Sequence, residues 1–99
     1  MIERRRLPDR RKCETIAFEH GGLKYAVTIG YFPDGSVGEI FLNTDGKAGS
    51  AADVSASDAA LAVSLALQYG CPLEVIRSSV KRNADGSPQG PLAAALDKV

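Results

Sequence analysis

Residues 38–73, GEIFLNTDGKAGSAADVSASDAALAVSLALQYGCPL, are the part of the chain that best indicates its fold. The stretch begins with a short apolar strand at residues 40–42 and continues through a polar loop that contains glycine and serine. A long apolar helix is predicted at residues 53–69. Gly70 suits the left-handed conformation that commonly ends a helix, and Pro72 cannot extend that helix. This strand, loop and helix therefore predict the centre of the core.

The predicted helix is apolar around most of its circumference. Asp53, Ser55 and Ser57 are each competent N-caps, because their side-chain oxygens can accept a hydrogen bond from a free backbone N–H. Asp58 lies in the first turns, where negative charge suits the helix dipole. A helix of this kind is expected to be central and to be contacted on more than one side. One side carries Val54, Leu61, Ala62 and Leu65, and it is widened by Ala59, Ala60, Val63, Ala66 and Leu67.

Alternation of apolar and polar residues predicts strands before this stretch. Residues 14–19 and 23–30 alternate in this way, and His20-Gly21-Gly22 between them is typical of a tight hairpin turn. A second turn at residues 32–36 leads to a third strand at residues 37–43. Three antiparallel strands in meander order result, and their apolar face needs a cover.

Two shorter helices are predicted after Gly70. Pro72 is favourable as the first residue of a helix at residues 72–82, in which Leu73, Ile76 and Val80 share one face. A loop at residues 83–90 precedes a last helix at residues 91–96. The predicted fold is α+β: a three-stranded antiparallel meander packed on a central apolar helix, followed by two shorter helices.

The composition is that of one ordinary globular domain with a basic N-terminal segment. The chain has 99 residues, of which 44% are apolar and 24% are charged, and its net charge is zero. We interpret residues 1–13 as an extended basic arm and residues 14–99 as a single domain. The remainder of the chain is mildly acidic. The arm either contacts phosphate or an acidic protein surface, or lies back on the acidic body.

Location and redox state are inferred from the same sequence. No apolar run approaches the roughly 18 residues needed to span a bilayer, and the basic start is not followed by an apolar signal segment. We therefore expect a cytoplasmic protein without membrane contact. Cys13 and Cys71 are far apart and lack a CxxC spacing, so they are predicted to be plain thiols without a metal.

No set of residues that could run a reaction is evident. Nucleophilic catalysis needs a nucleophile, a base and a group that orients the base. The sole histidine, His20, lies at the hairpin turn, where a solvated role is the simplest. Cys71 lies at a helix start, where a thiolate can be stabilised, but a packing role also accounts for it. We expect no enzyme activity and no cofactor, and an enzyme that uses Cys71 or Lys47 is the least favoured hypothesis.

The loop at residues 43–50 is where a ligand or partner contact is predicted within the central stretch. It contains Asn43, Lys47 and Ser50 beside a helix start, and free amides with a nearby lysine can hold an anion. The spacing of a Walker A loop is absent, and Asp45 and Asp53 oppose phosphate. A structural crossover loop is the alternative interpretation.

Several pieces of the sequence resemble the TSCPD-type domain found near the C-terminus of adenosylcobalamin-dependent (class II) ribonucleotide reductases and in small free-standing proteins. The resemblance implies the fold and a shared ancestry with these reductases. The catalytic barrel and the cysteine-bearing tail that names the domain are absent, so it does not imply ribonucleotide reduction, cobalamin or zinc. The pieces are Arg6-Leu7-Pro8 with Arg10-Arg11, Gly21-Gly22, Asp34-Gly35, Gly38-Glu39-Ile40-Phe41, Lys47-Ala48-Gly49-Ser50, Ser64-Leu65-Ala66-Leu67-Gln68-Tyr69-Gly70 and Pro72-Leu73-Glu74.

We predict a non-catalytic binding or regulatory module that contacts another protein. It is either an accessory piece for a reductase or a free-standing inhibitor or antiactivator of another protein. The alternative is nucleic-acid or nucleotide binding through the arm and the loop, against which the zero net charge weighs. Pairing of the apolar helix with a second copy is also open. The predicted contact residues are Arg4, Arg5, Arg6, Arg10, Arg11, Asn43, Lys47, Ser50, Arg77 and Lys81.

Overall fold

The computed structural model describes residues 3–45 and 49–99. Three strands, β1 (Cys13–His20), β2 (Leu23–Tyr31) and β3 (Val37–Thr44), are followed by three helices, α1 (Ala51–Gln68), α2 (Leu73–Ser79) and α3 (Pro91–Leu96). The predicted α+β fold is confirmed in element type and order.

The strands form one antiparallel sheet in the order β1-β2-β3. His20 pairs with Leu23 across the turn, and both turn glycines have positive φ, as a two-residue hairpin requires. One face of the sheet forms the core with α1 and α3. The strand residues of this core are at most 4% exposed: Tyr25, Val27, Ile29, Ile40 and Leu42.

Polar side chains of α1 close the free edge of β3. An edge strand presents backbone groups that have no partner strand. The hydroxyl of Ser64 accepts a hydrogen bond from the Ile40 amide at 2.9 Å and lies 2.9 Å from the Ile40 carbonyl. The Gln68 side chain donates to the Gly38 carbonyl at 3.0 Å, and Ser57 donates to a carbonyl farther along β3. These side chains take the place of a fourth strand.

Helix α1 begins earlier than predicted. Ser50 is its N-cap and accepts a hydrogen bond from the Asp53 amide at 3.2 Å, so the prediction of Asp53, Ser55 or Ser57 as the cap is wrong. At the other end the prediction is confirmed. Tyr69 caps the helix, and Gly70 follows with φ of +96°.

The buried side of α1 also differs from the prediction. Val54, Leu61 and Leu65 were expected in the core, but they are 49%, 59% and 37% exposed. The reason is that α1 lies against a strand edge as well as an apolar face, so small and polar residues meet the sheet. The buried residues of α1 are Ala56, Ala60, Val63, Ser64, Leu67 and Gln68.

The C-terminal helices are joined by arginine side chains. Helix α2 ends at Ser79, three residues before its predicted end, and Pro72 is its N-cap and not its first residue. Arg77 donates to the Leu96 carbonyl at 3.2 Å, and Arg82 pairs with Asp97 at 2.8 Å. The chain leaves the helix after Ser79 because the next segment is extended and turns back towards α3.

Candidate functional site

The N-terminal arm lies against the C-terminal end of α1 and the turn between β2 and β3. Arg4 Nε donates to Gln68 Oε1 at 2.7 Å, and the Arg5 amide donates to the Gln68 carbonyl at 2.7 Å. The Arg5 guanidinium pairs with Asp34 at 3.1 Å and lies 3.7 Å from the centroid of the Phe32 ring. Both arginines therefore hold the arm on the body.

Arg11 reaches a carboxylate that is almost fully buried. Glu39 is 6% exposed, and both of its carboxylate oxygens accept hydrogen bonds from the Arg11 guanidinium. Gly30 lies opposite Glu39 on β2, and a Cβ at that position would overlap the Glu39 side chain. The hydrogen bond to Glu39 raises the pKa of Arg11. Arg11 thus ties the arm to the sheet.

Arg6 and Arg10 are the exposed arginines of the arm that remain. Their side chains form no hydrogen bond or ion pair with any of the residues in the described ranges. Of the five arm arginines predicted to contact a partner, these two are thus the ones that are not used inside the protein.

The start of α1 is occupied by groups of the chain itself. The Asp53 carboxylate accepts hydrogen bonds from the Thr44 amide at 2.9 Å and from the Gly49 amide at 3.0 Å. These bonds lower the pKa of Asp53, so the carboxylate is charged. The Ser50 hydroxyl accepts from the amide of the first turn. An external anion would have to compete with Asp53 and Ser50 for the same amides.

The other predicted contact residues lie on separate elements. Asn43 is exposed on β3, with its Nδ2 3.4 Å from Ser57 Oγ, and Lys47 lies outside the described residues. Arg77 is engaged with carbonyls of the C-terminal segment. Lys81 is exposed, and its ammonium has no partner within the part of the chain that the structure describes.

The solvent-facing side of α1 carries a row of large apolar side chains, which we call the α1 stripe. It consists of Val54, Leu61, Leu65 and Tyr69, which are 49%, 59%, 37% and 47% exposed. Steps of three, four and seven residues place side chains on one face of a helix. Asp58 is the charged residue within this face. The sequence shows the spacing but does not show that the face is turned to solvent.

Of the groups considered for catalysis, His20 and Cys71 lie on separate parts of the fold, and Lys47 lies outside the described residues. His20 Nε2 lies 3.2 Å from the Gln89 carbonyl, and Cys13 and Cys71 are free thiols. Within residues 3–45 and 49–99, no three His, Cys, Asp or Glu side chains are grouped as a metal site would require. Over the same ranges, no helix is both long and apolar enough to cross a membrane.

Comparison with known proteins shows the family. The TSCPD domain family matches residues 3–99. The chain belongs to the TSCPD domain family. Among its relatives are vitamin B12-dependent ribonucleotide reductases from Bradyrhizobium diazoefficiens, 45% identical over 74 residues, and from Agrobacterium fabrum, 44% identical over 72 residues. These matches cover 75% and 73% of this chain and 6% of each reductase. No solved structure matches the chain.

This TSCPD domain thus corresponds to a minor part of the reductases that it resembles. A relative from Streptantibioticus cattleyicolor is 41% identical over 71 residues, which is 72% of this chain and 12% of that reductase. The sequence pieces that carry the resemblance contact one another in the fold. Arg11 binds Glu39, and a Cβ at Gly38 would lie 3.0 Å from Leu7. Where the structure describes these pieces, such contacts help to hold the TSCPD fold together.

Proposed function

We propose that this TSCPD domain is a non-catalytic protein-binding module whose contact surface is the α1 stripe. The exposed apolar side chains of Val54, Leu61, Leu65 and Tyr69 carry the proposal. Contiguous exposed apolar surface on a small domain is typical of a protein interaction site. A partner helix with its own apolar face would remove these side chains from water.

The start of the arm lies at one end of this surface. Arg4 and Arg5 bind Gln68 on the last turn of α1, next to Tyr69 at one end of the stripe. Arg6 and Arg10 extend the same segment with unpaired positive charge. A partner with acidic residues beside an apolar helix would complement both features, and such charges accelerate association.

Two classes of partner fit this surface. One is a ribonucleotide reductase, for which this domain would be an accessory piece, because the relatives are reductases that contain a matching segment. The other is an unrelated protein that a free-standing module inhibits or holds inactive. The cytoplasm is the proposed location for either role.

Nucleic-acid or nucleotide binding has less support than protein binding. Arg4, Arg5 and Arg11 are engaged inside the protein, so fewer cations are free for phosphate. The amides at the start of α1 already bind Ser50 and Asp53. We therefore consider nucleic-acid or nucleotide binding the less supported of the two functions.

Affinity capture from the native host tests the proposal. The tagged chain is compared with Leu65→Asp on the stripe and with Leu23→Asp on the sheet. Leu23 and Leu65 are both 37% exposed, so the two variants add the same charge at equal exposure. We expect a defined protein to be retained by the wild type and Leu23→Asp and to be lost with Leu65→Asp. Equal retention by both variants would refute the stripe as the contact surface.

Two further measurements identify the partner and the role of the arm. Mass spectrometry of the retained protein shows whether it is a reductase. Replacement of Arg6 and Arg10 by Gln is preferable to deletion of the arm, since deletion would also remove the Arg4 and Arg11 contacts that support the fold. Light scattering of the purified chain tests whether a second copy binds the stripe. A dimer that Leu65→Asp dissociates would show that the stripe binds a second copy of the chain and not an external partner.

A further inference from the structure

A cleft of about 610 Å³ opens between the first half of α1 and the segment that follows α2. This volume lies within the range of small-molecule sites, which are mostly apolar with a few polar groups. The cleft is separate from the α1 stripe, because its helical residues lie on a different side of α1. Its apolar wall is formed by Ala52, Ala56, Ala59, Val80 and Leu92.

Tyr25 is a buried residue of this cleft with an unused hydrogen-bonding group. It is 4% exposed, and its ring stacks on Phe18 with 5.6 Å between the centroids. Its hydroxyl forms no hydrogen bond with any residue that the structure describes. Among the described residues, no buried side-chain oxygen or nitrogen lacks a hydrogen-bond partner, so the Tyr25 hydroxyl, which has none, is in contact with solvent. Because Tyr25 lines the cleft, a ligand there can replace water as the acceptor for this hydroxyl.

Lys81 is the charged residue among the described residues that line the cleft. The nearby Arg77 and Arg82 are engaged with Leu96 and Asp97, whereas the Lys81 ammonium is unpaired within residues 3–45 and 49–99. A single cation beside an apolar wall attracts an anion that carries an apolar body.

Hydrogen bonds through Gln89 link the segment of Lys81 to the hairpin that bears Tyr25. The Lys81 carbonyl accepts a hydrogen bond from the Gln89 amide at 3.2 Å, and the Gln89 carbonyl lies 3.2 Å from His20 Nε2. His20 pairs with Leu23 at the start of β2, two residues before Tyr25. An ammonium and a phenol hydroxyl therefore both belong to the lining of the cleft, together with its apolar wall.

We propose that this cleft binds an amphipathic carboxylate, such as a medium-chain fatty acid. The carboxylate pairs with the Lys81 ammonium and accepts a hydrogen bond from the Tyr25 hydroxyl. The alkyl chain lies along the alanines of α1 and against Val80 and Leu92. This site does not depend on the α1 stripe or on a protein partner.

Titration of the full chain with octanoate, followed by NMR of its backbone amides, tests the site. We expect shifts confined to residues 52–59 and 79–93 and to the neighbourhood of Tyr25. Lys81→Gln should weaken octanoate binding by about tenfold, as expected for loss of a charge-assisted contact. The matched control Lys98→Gln, an exposed lysine outside the cleft, should leave the affinity unchanged. Octanol should bind the wild type more weakly than octanoate does.

A filling substitution provides the second arm of the test. Ala59→Phe places a ring in the cleft and should abolish binding, whereas Ala62→Phe on the exposed side of α1 should not. Circular dichroism checks that both variants are folded. Absence of shifts at millimolar octanoate, shifts elsewhere on the protein, or equal losses for Lys81→Gln and Lys98→Gln would overturn the proposal. Leu65→Asp should bind octanoate normally, so failure of the protein-binding proposal would be distinguishable.

Discussion

Replacement of Ser64 by alanine tests how α1 closes the sheet. The Ser64 hydroxyl is 2.9 Å from the Ile40 amide, the Ile40 carbonyl and the Ala60 carbonyl, and it accepts from the first of these groups. Ser64 is 6% exposed and Ile40 is fully buried. In Ser64→Ala, the Ile40 amide loses its partner at a position that water does not reach.

The expected loss of stability follows from these contacts. An unsatisfied buried donor costs about 1–3 kcal/mol. Alanine favours a helix interior over serine and offsets about 0.5 kcal/mol of this cost. The net decrease in the free energy of unfolding is therefore about 1.5 kcal/mol, which lowers the melting temperature of a domain of this size by about 6–12 °C.

Urea denaturation of the full chain measures this decrease, with Ser55→Ala as the control. Ser55 is exposed in the same helix and forms no side-chain hydrogen bond with the described residues, so its replacement should be neutral or slightly stabilising. The slope of the urea dependence should be unchanged in both variants. A difference of less than about 0.5 kcal/mol between Ser64→Ala and Ser55→Ala would refute the edge-closing role of Ser64.

Three further predictions concern the arm and its contacts. Gly30→Ala should lower the free energy of unfolding by about 1–3 kcal/mol, because the Cβ of the alanine would overlap the Glu39 side chain. This loss should be smaller in a Glu39→Ala background. Equal losses in both backgrounds would contradict the overlap. Arg11→Met should lower the midpoint of urea denaturation, because the Glu39 carboxylate stays buried without its partner. An unchanged midpoint would show that the pair contributes nothing to stability. Hydrogen bonds from Ser36, and then the Arg5 contact, lower the pKa of Asp34 from 3.8 to about 2. Because the pKa is lower in the folded state, the stability that charged Asp34 contributes is lost as the pH falls from 3.8 towards 2. Asp34→Asn should therefore flatten the acid side of a plot of melting temperature against pH, whereas a slope equal to that of the wild type would count against the contact.

The positions of the elements could largely be predicted from the sequence. The hairpin at Gly21-Gly22, the end of α1 at Gly70 and the bounds of α3 were predicted from local patterns, and the structure confirms them. The predicted end of α2 was wrong, because Val80 adopts an extended conformation and the chain turns back for the Arg82 contact with Asp97. Nothing in the local spacing at residues 79–82 indicates this turn.

The candidate sites were less predictable than the fold. The sequence identified the arm arginines as cations, but their partners Gln68 and Glu39 lie far along the chain. Val54, Leu61 and Leu65 of the α1 stripe were recognised as apolar and were assigned to the core. The cleft was not predicted, since its walls come from two segments whose approach depends on the packing of α2 and α3.

The sequence alone thus determined which segments are strands and helices, because alternation, helical spacing, glycine and proline act on near neighbours. Tertiary structure decided which side of α1 is buried. The sequence presents a helix that is apolar around most of its circumference, so its pattern does not say which side packs on the sheet. Here Ser64 and Gln68 are buried because they bind backbone groups of β3 that are 24 and 30 residues away. The edge of the sheet requires those hydrogen bonds, and Leu61 and Leu65 are left facing solvent.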